Sequence, residues 1–259
     1  MDERKLQAAL RDIPLGGLRF FDTTGSTNDE ALAWATAGAP DLSMVVADEQ
    51  TAGRGRGGRK WHTPAGTALA FSLILRPSAE ELKHPARLTA LGALAVADAL
   101  RAAGLAAQIK WPNDVLCDRR KVAGILVESV WTGESMDAAV LGAGVNVLRG
   151  SVPPAETLQF PAVSLEEALG KTVERIAFLH DIMSALLNWR PRLANDSFIA
   201  SWEERLAFRG EQVRVGKDEA RPITGELVGL DPDGGLRLRT RGGRMQTVQF
   251  GEIQLRPAA

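Results

Sequence analysis

Tyrosine is absent from this chain of 259 residues, and cysteine occurs once, at Cys117. No phenol is therefore available to any chemistry the chain performs. A single thiol excludes an internal disulfide framework and suits a reducing compartment. Cys117 stands in no nucleophile signature and reads as a small core residue. Histidine is scarce too: His62, His84 and His180 are scattered without ligand spacing, which argues against a protein-bound zinc site. No apolar run reaches the length of a membrane-spanning helix. Met1-Asp2-Glu3 opens onto a polar stretch, not a basic region followed by an apolar core. The expectation is a cytoplasmic protein with no membrane partner. Charge is almost balanced, with 31 Lys and Arg against 32 Asp and Glu and a pI near 6.3. Bulk attraction to nucleic acid is thereby disfavoured, and any such contact must come from a local patch.

What is present is an ordinary globular balance, 45% hydrophobic and 24% charged, enough for a large core. Ser26 or Thr27 can cap a helix through Ala31, Leu32 and Ala35, with Asp29 and Glu30 in its first turn. Strands are expected over 44–47, 67–75, 108–111, 122–130 and 138–147. Alanine- and leucine-rich residues 86–103 predict a helix ending at Gly104. Further helices are expected over 172–187 and 198–206. The tryptophans at 34, 131, 189 and 202 read as packing residues. After about residue 210 the texture changes to short alternating segments, Val213/Val215, Leu227/Leu230, Leu236/Leu238, Val248/Phe250 and Ile253/Leu255. Asp231-Pro232-Asp233-Gly234-Gly235 and Arg241-Gly242-Gly243 separate them as turns. This reads as a small β-barrel, so the chain divides into a catalytic unit, 1–208, and a C-terminal unit, 209–259.

The richest stretch for chemistry is Gly53-Arg54-Gly55-Arg56-Gly57-Gly58-Arg59-Lys60-Trp61, four cations in nine residues with no acid. Its glycines allow close backbone approach, its arginines offer forks for phosphate or carboxylate, and Trp61 can stack on a flat ring. The formal dinucleotide fingerprint in it fails, because a strand and not a helix follows. A phosphate loop at Gly170-Lys171-Thr172 fails as well, since position 165 is Leu. Alone, the basic run also reads as a solvated loop or an RNA-contacting segment. A second cluster, Lys110-Trp111-Pro112-Asn113-Asp114, tips the balance. Asn113 can donate and accept as an adenine edge requires, and Asp114 can hold Mg²⁺ or accept a proton. The plainer reading of Asn-Asp after proline is a capped turn. Lys121 opens Val122-Ala123-Gly124-Ile125-Leu126-Val127-Glu128; it is a mobile charge suited to carboxylate or phosphate, though alone it reads as an exposed strand-end lysine. Gly124 would let a ligand lie against the strand. Gly142-Ala143-Gly144-Val145-Asn146 adds a glycine-bearing strand end with another amide.

In this order the clusters resemble the biotin protein ligases: Ser26-Thr27-Asn28, Gln50, the run 53–61, residues 110–114, 121–128 and 142–146. The resemblance covers essentially the whole chain, and the joint occurrence of the pieces is specific. It implies an α+β fold with a mixed β-sheet and helices, akin to class II aminoacyl-tRNA synthetases, plus a small C-terminal SH3-like β-barrel. It implies that biotin's carboxylate attacks the α-phosphate of MgATP, and that a lysine of a biotin carboxyl carrier protein domain, of acetyl-CoA carboxylase or a related carboxylase, then displaces AMP. By match, Ser26, Thr27, Asn28 and Gln50 face biotin, with Gly124 and Gly142 beside it. Arg54, Gly55 and Arg56 fold over biotin and the phosphates. Arg56 and Arg59 offset charge as pyrophosphate leaves. Trp61 stacks on adenine, Asn113 and Asn146 meet its polar edge, and Lys121 bridges carboxylate and α-phosphate. Asp114 assists Mg²⁺ or deprotonates the acceptor lysine. Only about twenty-five residues precede Ser26, too few for the operator-binding winged helix of the bifunctional members, so a ligase without sequence-specific DNA binding is expected. Any tyrosine used by relatives is replaced here. An exposed sheet edge could support a homodimer. Two rivals remain: a lipoate–protein ligase or octanoyl transferase of related fold, and a nucleic-acid-binding module. Against the latter, the C-terminal unit carries Glu211, Asp218, Glu219, Glu226, Asp231, Asp233 and Glu252, which leave no clean basic face.

Overall fold

Central strands that are apolar on both faces, and alanine-rich helices able to approach them closely, sort this chain into layers. The computed structural model describes residues 1–216, 222–249 and 254–257. In chain order its elements are α1 (Glu3–Ala9), β1 (Gly17–Thr24), α2 (Thr27–Thr36), β2 (Ser43–Gln50), β3 (Ala68–Leu75), α3 (Ala79–Leu82), α4 (Pro85–Ala102), β4 (Ala107–Lys110), β5 (Asp114–Cys117), β6 (Arg120–Thr132) and β7 (Ser135–Asn146). Then follow α5 (Leu165–Leu169), α6 (Arg175–Trp189), α7 (Asp196–Glu204), β8 (Gln212–Gly216), β9 (Ile223–Leu230), β10 (Leu236–Arg239), β11 (Met245–Val248) and β12 (Gln254–Pro257).

The first seven strands form one mixed sheet in the order β1-β2-β3-β7-β6-β5-β4, parallel only between β1 and β2. Leu69, Phe71, Leu73 and Leu75 of β3 join Leu141 and Val145 of β7 in the core that includes α4 and α6. Pro85 starts α4 at a position where a missing N–H costs nothing, and Gly104 follows its end at φ +98°. Gly92 brings α4 close to the sheet: an added Cβ would sit 3.0 Å from Leu141 and 3.1 Å from Ile125. On the other face, Val45, Ile74 and Val140 pack against Ala31 and Ala35 of α2. Beyond α2 that face carries Ala70, Ser72, Gly142, Gly144 and Gly124, too small to fill it, and a trough results.

A five-stranded antiparallel sheet, β11-β10-β9-β8-β12, forms the C-terminal SH3-like unit around Val213, Val215, Leu227, Leu236 and Leu238. Phe250, Ile253, Asp218, Glu219 and Glu252 lie outside the described residues. No described helix is long and apolar enough to cross a membrane.

Two strands escaped the sequence reading, β1 and β5. Helix α6 starts at Arg175, three residues later than expected, because the Glu174 side chain accepts from Ala177 N as an N-cap. Trp131 is corrected: it is 56% exposed at the β6–β7 hairpin, beyond the packed layers, and its Nε1 donates to Ser129 Oγ. Cys117 is buried, and burial pushes its thiol up to about 11, which leaves it unreactive.

Candidate active site

Small residues in register make the floor. Ala70, Gly144, Gly124, Asp114 and Lys110 stand opposite one another on five neighbouring strands. The trough is a cavity of about 440 Å³. Ser26, Thr27, Asn28, Gln50, Arg54, Gly55, Arg56, Arg59, Trp61, Asn113, Asp114, Lys121, Gly124, Gly142 and Asn146 all line it, whereas Lys110, Trp111 and Pro112 of the second cluster lie behind its wall.

At one end, the first turn of α2 meets the end of β2. Thr27 N donates to Gln50 Oε1 at 2.8 Å, and Gln50 Nε2 donates to Thr63 Oγ1 at 2.9 Å. Asn28 lies flat on β7, where a Cβ on Gly142 would overlap its amide. The basic run forms a small hairpin between β2 and β3: Trp61 N donates to Gly53 O at 2.8 Å and Gly55 N to Arg59 O at 2.6 Å. Gly57 and Gly58 turn its tip at φ +68° and +74°, a region that side chains disfavour. The Trp61 ring rests on bare backbone. A Cβ on Gly144 would overlap the indole, and one on Gly124 would sit 3.2 Å from it. Its buried Nε1 has no hydrogen-bond partner among the described residues. Arg54 is engaged, at 2.7 Å from both Asp29 and Glu128.

At the other end a β-bulge decides the chemistry. In a regular strand residues three apart face opposite ways. Between Val115 and Leu116 the β5–β6 register slips, so Leu116 faces Lys121 while Asp114 faces Gly124. The slip turns Lys121 onto the face of Gly124, into the trough. Asp118 and Arg119, at φ +48° and +57°, close the tight turn between the strands. Lys121 Nζ lies 2.6 Å from Asp114 Oδ1 and 5.1 Å from the Trp61 ring centre, and Lys110 Nζ lies 3.0 Å from Asp114 Oδ2. Burial raises the Asp114 carboxyl, but Lys121 and Lys110 overcome this and hold it well below the usual carboxylate range. A general base works best with a pKa near the working pH; Asp114 is far from it. Both of its oxygens already face ammonium groups, so it is poorly placed to ligate Mg²⁺. No group of three His, Cys, Asp or Glu among the described residues could hold a metal ion. Asn113 Nδ2 donates to Ile125 O at 2.9 Å, and Asn146 Nδ2 reaches Lys121 O and Val163 O at 3.4 Å each.

Sequence reasoning missed one wall. Pro153, Thr157, Leu158, Gln159, Phe160 and Ala162 also line the trough. Their position depends on pairing with β6, where Lys121 N donates to Pro161 O at 2.7 Å and Val163 N to Lys121 O at 2.9 Å. Lys110 Nζ sits 4.9 Å over the Phe160 ring. No motif in this stretch announces the contact.

The chain matches the model of the Biotin/lipoate A/B protein ligase family over residues 20–146 and that of the Biotin protein ligase C terminal domain over 208–256. It is 40% identical over 242 residues to the biotin--[acetyl-CoA-carboxylase] ligase of Paracoccus denitrificans, which covers 89% of this chain and 97% of that one. It is 32% identical over 262 residues to the bifunctional ligase/repressor BirA of Bacillus subtilis, with 98% and 79% covered. The solved structure of biotin protein ligase from Aquifex aeolicus in complex with biotin and ATP is similar at TM-score 0.80 and 31% identity, covering 93% of this chain and 99% of that one.

Proposed function

The chain belongs to the biotin/lipoate A/B protein ligase family as a biotin–protein ligase, and from that premise we propose how its residues share the work. The enzyme uses ATP to join biotin to the carrier domain of a biotin-dependent carboxylase, through biotinyl-5′-AMP. In our reading Ser26, Thr27, Asn28 and Gln50 hold the ureido ring, whose neutral polar groups want such partners. Gly124 and Gly142 leave room for it against the strands, and Arg54 and Gly55 close over it from the loop. Trp61 is the stacking surface for adenine, with Asn113 and Asn146 at the polar edge. Arg56 and Arg59 offset charge on the departing pyrophosphate. Mg²⁺ would enter with ATP and would offset charge on its phosphates.

The observation that carries this reading is Lys121, turned into the trough by the bulge and held there by Asp114. Placed between biotin's carboxylate and the α-phosphate, its ammonium offsets the repulsion of two anions that must approach. Asp114 then positions Lys121 and Lys110 and does not itself carry a proton. We further infer cytoplasmic action on acetyl-CoA carboxylase without sequence-specific DNA binding, a division of the chain at 208/209, and a homodimer through the free edge of β1. The relative from Paracoccus, named for ligase activity alone, supports the monofunctional part.

The test is incubation with MgATP and a carrier domain, supplying biotin or lipoate in turn and weighing the carrier. A mass gain of one biotinyl group, with none from lipoate, is expected. An unchanged carrier in the biotin arm would sink this function.

A further inference from the structure

We propose that Glu128 is a positioning residue that couples the ring pocket to the basic loop, an inference resting on the placement of Asn28 and the loop at biotin given above. Glu128 does not line the trough. It acts through two residues that do. Its Oε2 lies 2.7 Å from Asn28 Nδ2 and 2.7 Å from Arg54 Nη2, joining α2 and the loop to β6.

The Asn28 side decides which atom a ligand meets. A carboxylate and a backbone carbonyl only accept hydrogen bonds, so the amide nitrogen must face Glu128 and Leu126 O, which is 3.4 Å away. Asn28 Oδ1 is then fixed toward Ser72 Oγ at 2.6 Å, with a second lone pair left for a donor such as a ureido N–H. The bare Gly142 backbone beneath gives the amide its place. Without Glu128 the amide loses its strongest acceptor, and the orientation that presents Oδ1 is no longer enforced.

The Arg54 side fastens the loop. Arg54 bridges Glu128 and Asp29, so one guanidinium neutralises two carboxylates at the mouth of a site that takes up anions. Loss of Glu128 leaves Arg54 with Asp29 alone, an exposed partner on α2. A ligand that seats against Asn28 therefore stabilises the arrangement in which the loop is fastened, and loop closure favours the amide orientation that the ligand needs.

The experiment measures pyrophosphate release against biotin concentration, and trypsin cleavage within residues 54–60 at saturating biotin, in Glu128→Ala, Glu128→Gln and Asn28→Ala. Glu128→Ala is expected to raise the biotin KM about tenfold while kcat changes by less than about threefold, and to be cleaved faster. Glu128→Gln keeps an acceptor for Asn28 but no charge for Arg54. It should hold the biotin KM within about threefold of wild type and still be cleaved faster. Should Glu128→Ala fold poorly, the split in Glu128→Gln carries the test. A raised KM in Asn28→Ala beside wild-type KM and cleavage in both Glu128 variants overturns the coupling alone. A wild-type KM in Asn28→Ala overturns the placement of biotin, and the coupling with it.

Discussion

At the scale of single residues, Asp114 is a buried carboxylate whose charge is maintained by two lysines, one of them as buried as itself. Removing its charge takes from Lys110 and Lys121 the carboxylate they share, a loss of about 3 kcal/mol for a broken buried pair. Asp114→Asn should therefore lower stability by about that amount. The sign with pH follows from the lowered pKa. A carboxyl whose folded value lies below the unfolded value, about 3.9, stabilises fully above that pH and loses the contribution as pH falls through the folded value. Chemical denaturation of wild type and Asp114→Asn should thus differ by a constant amount from neutral pH down to about 5, then converge in stronger acid. A gap that widened on acidification would contradict the ion-pair account. The placement of Lys121 was only half legible in the sequence for a related reason. Its spacing from Gly124 puts the two on opposite faces of a regular strand. Only the register slip at Val115 and Leu116, set by pairing between strands, brings them together.

At the scale of elements, the legible parts were those that carry their own pattern. The apolar runs of β2, β3, β6 and β7 and the alanine-rich α4 announce themselves within a single stretch of chain. β1 does not: it is an edge strand whose polar and apolar residues are both partly exposed, and its parallel partner lies across α2. β5 is only four residues long and begins on the last residue of the Lys-Trp-Pro-Asn-Asp cluster, which reads as a turn. The wall at 153–162 owes its place to backbone bonds with Lys121, a contact no local periodicity encodes. The basic run was legible as a loop, and it lines the trough, but its seat on β7 was not legible, because Gly144 looks like any other packing glycine until Trp61 is found lying on it. That seat is testable. Gly144→Ala adds a Cβ where the indole rests, on a strand that already carries alanine at 138, 139 and 143. We expect the KM for ATP to rise about tenfold, the biotin KM to move by less than about threefold, and the melting temperature to change little. Equal rises for both substrates would place Trp61 elsewhere than at adenine.

At the scale of the whole molecule, the C-terminal unit is fastened beneath the end of the trough that Asn113 lines, where we place ATP. Trp111, fully buried beside Asn113, donates its Nε1 to Gly234 O at 3.0 Å. Arg87 of α4 donates to Pro232 O at 2.7 Å and, from its other terminal nitrogen, to Leu193 O at 2.8 Å. The turn that offers these carbonyls is held in shape by Asp231 Oδ1, which accepts from Asp233 N at 3.0 Å and Gly235 N at 2.6 Å. Gly234 sits at φ +83° with Trp202 against it, so that an added Cβ would come 2.6 Å from the ring. The sequence marked this segment as a turn between strands of the small unit. It gave no sign that the turn supports the cluster at 110–114, since the two are more than a hundred residues apart. If the units are coupled here, Gly234→Val should do more than loosen a surface turn. A β-branched residue is strained at that φ and collides with Trp202, so a loss of about 3 kcal/mol is expected. Because the carbonyl that fixes Trp111 moves with it, the KM for ATP should rise in the folded variant, while the biotin KM, set at the far end of the trough, stays within about twofold. Calorimetry of wild type should show one transition for both units, since the core that Trp111 and Trp202 share with Leu236 and Leu238 is continuous. Two separate transitions, or a variant whose ATP kinetics match wild type, would mean that the small unit merely abuts the site and does not hold it.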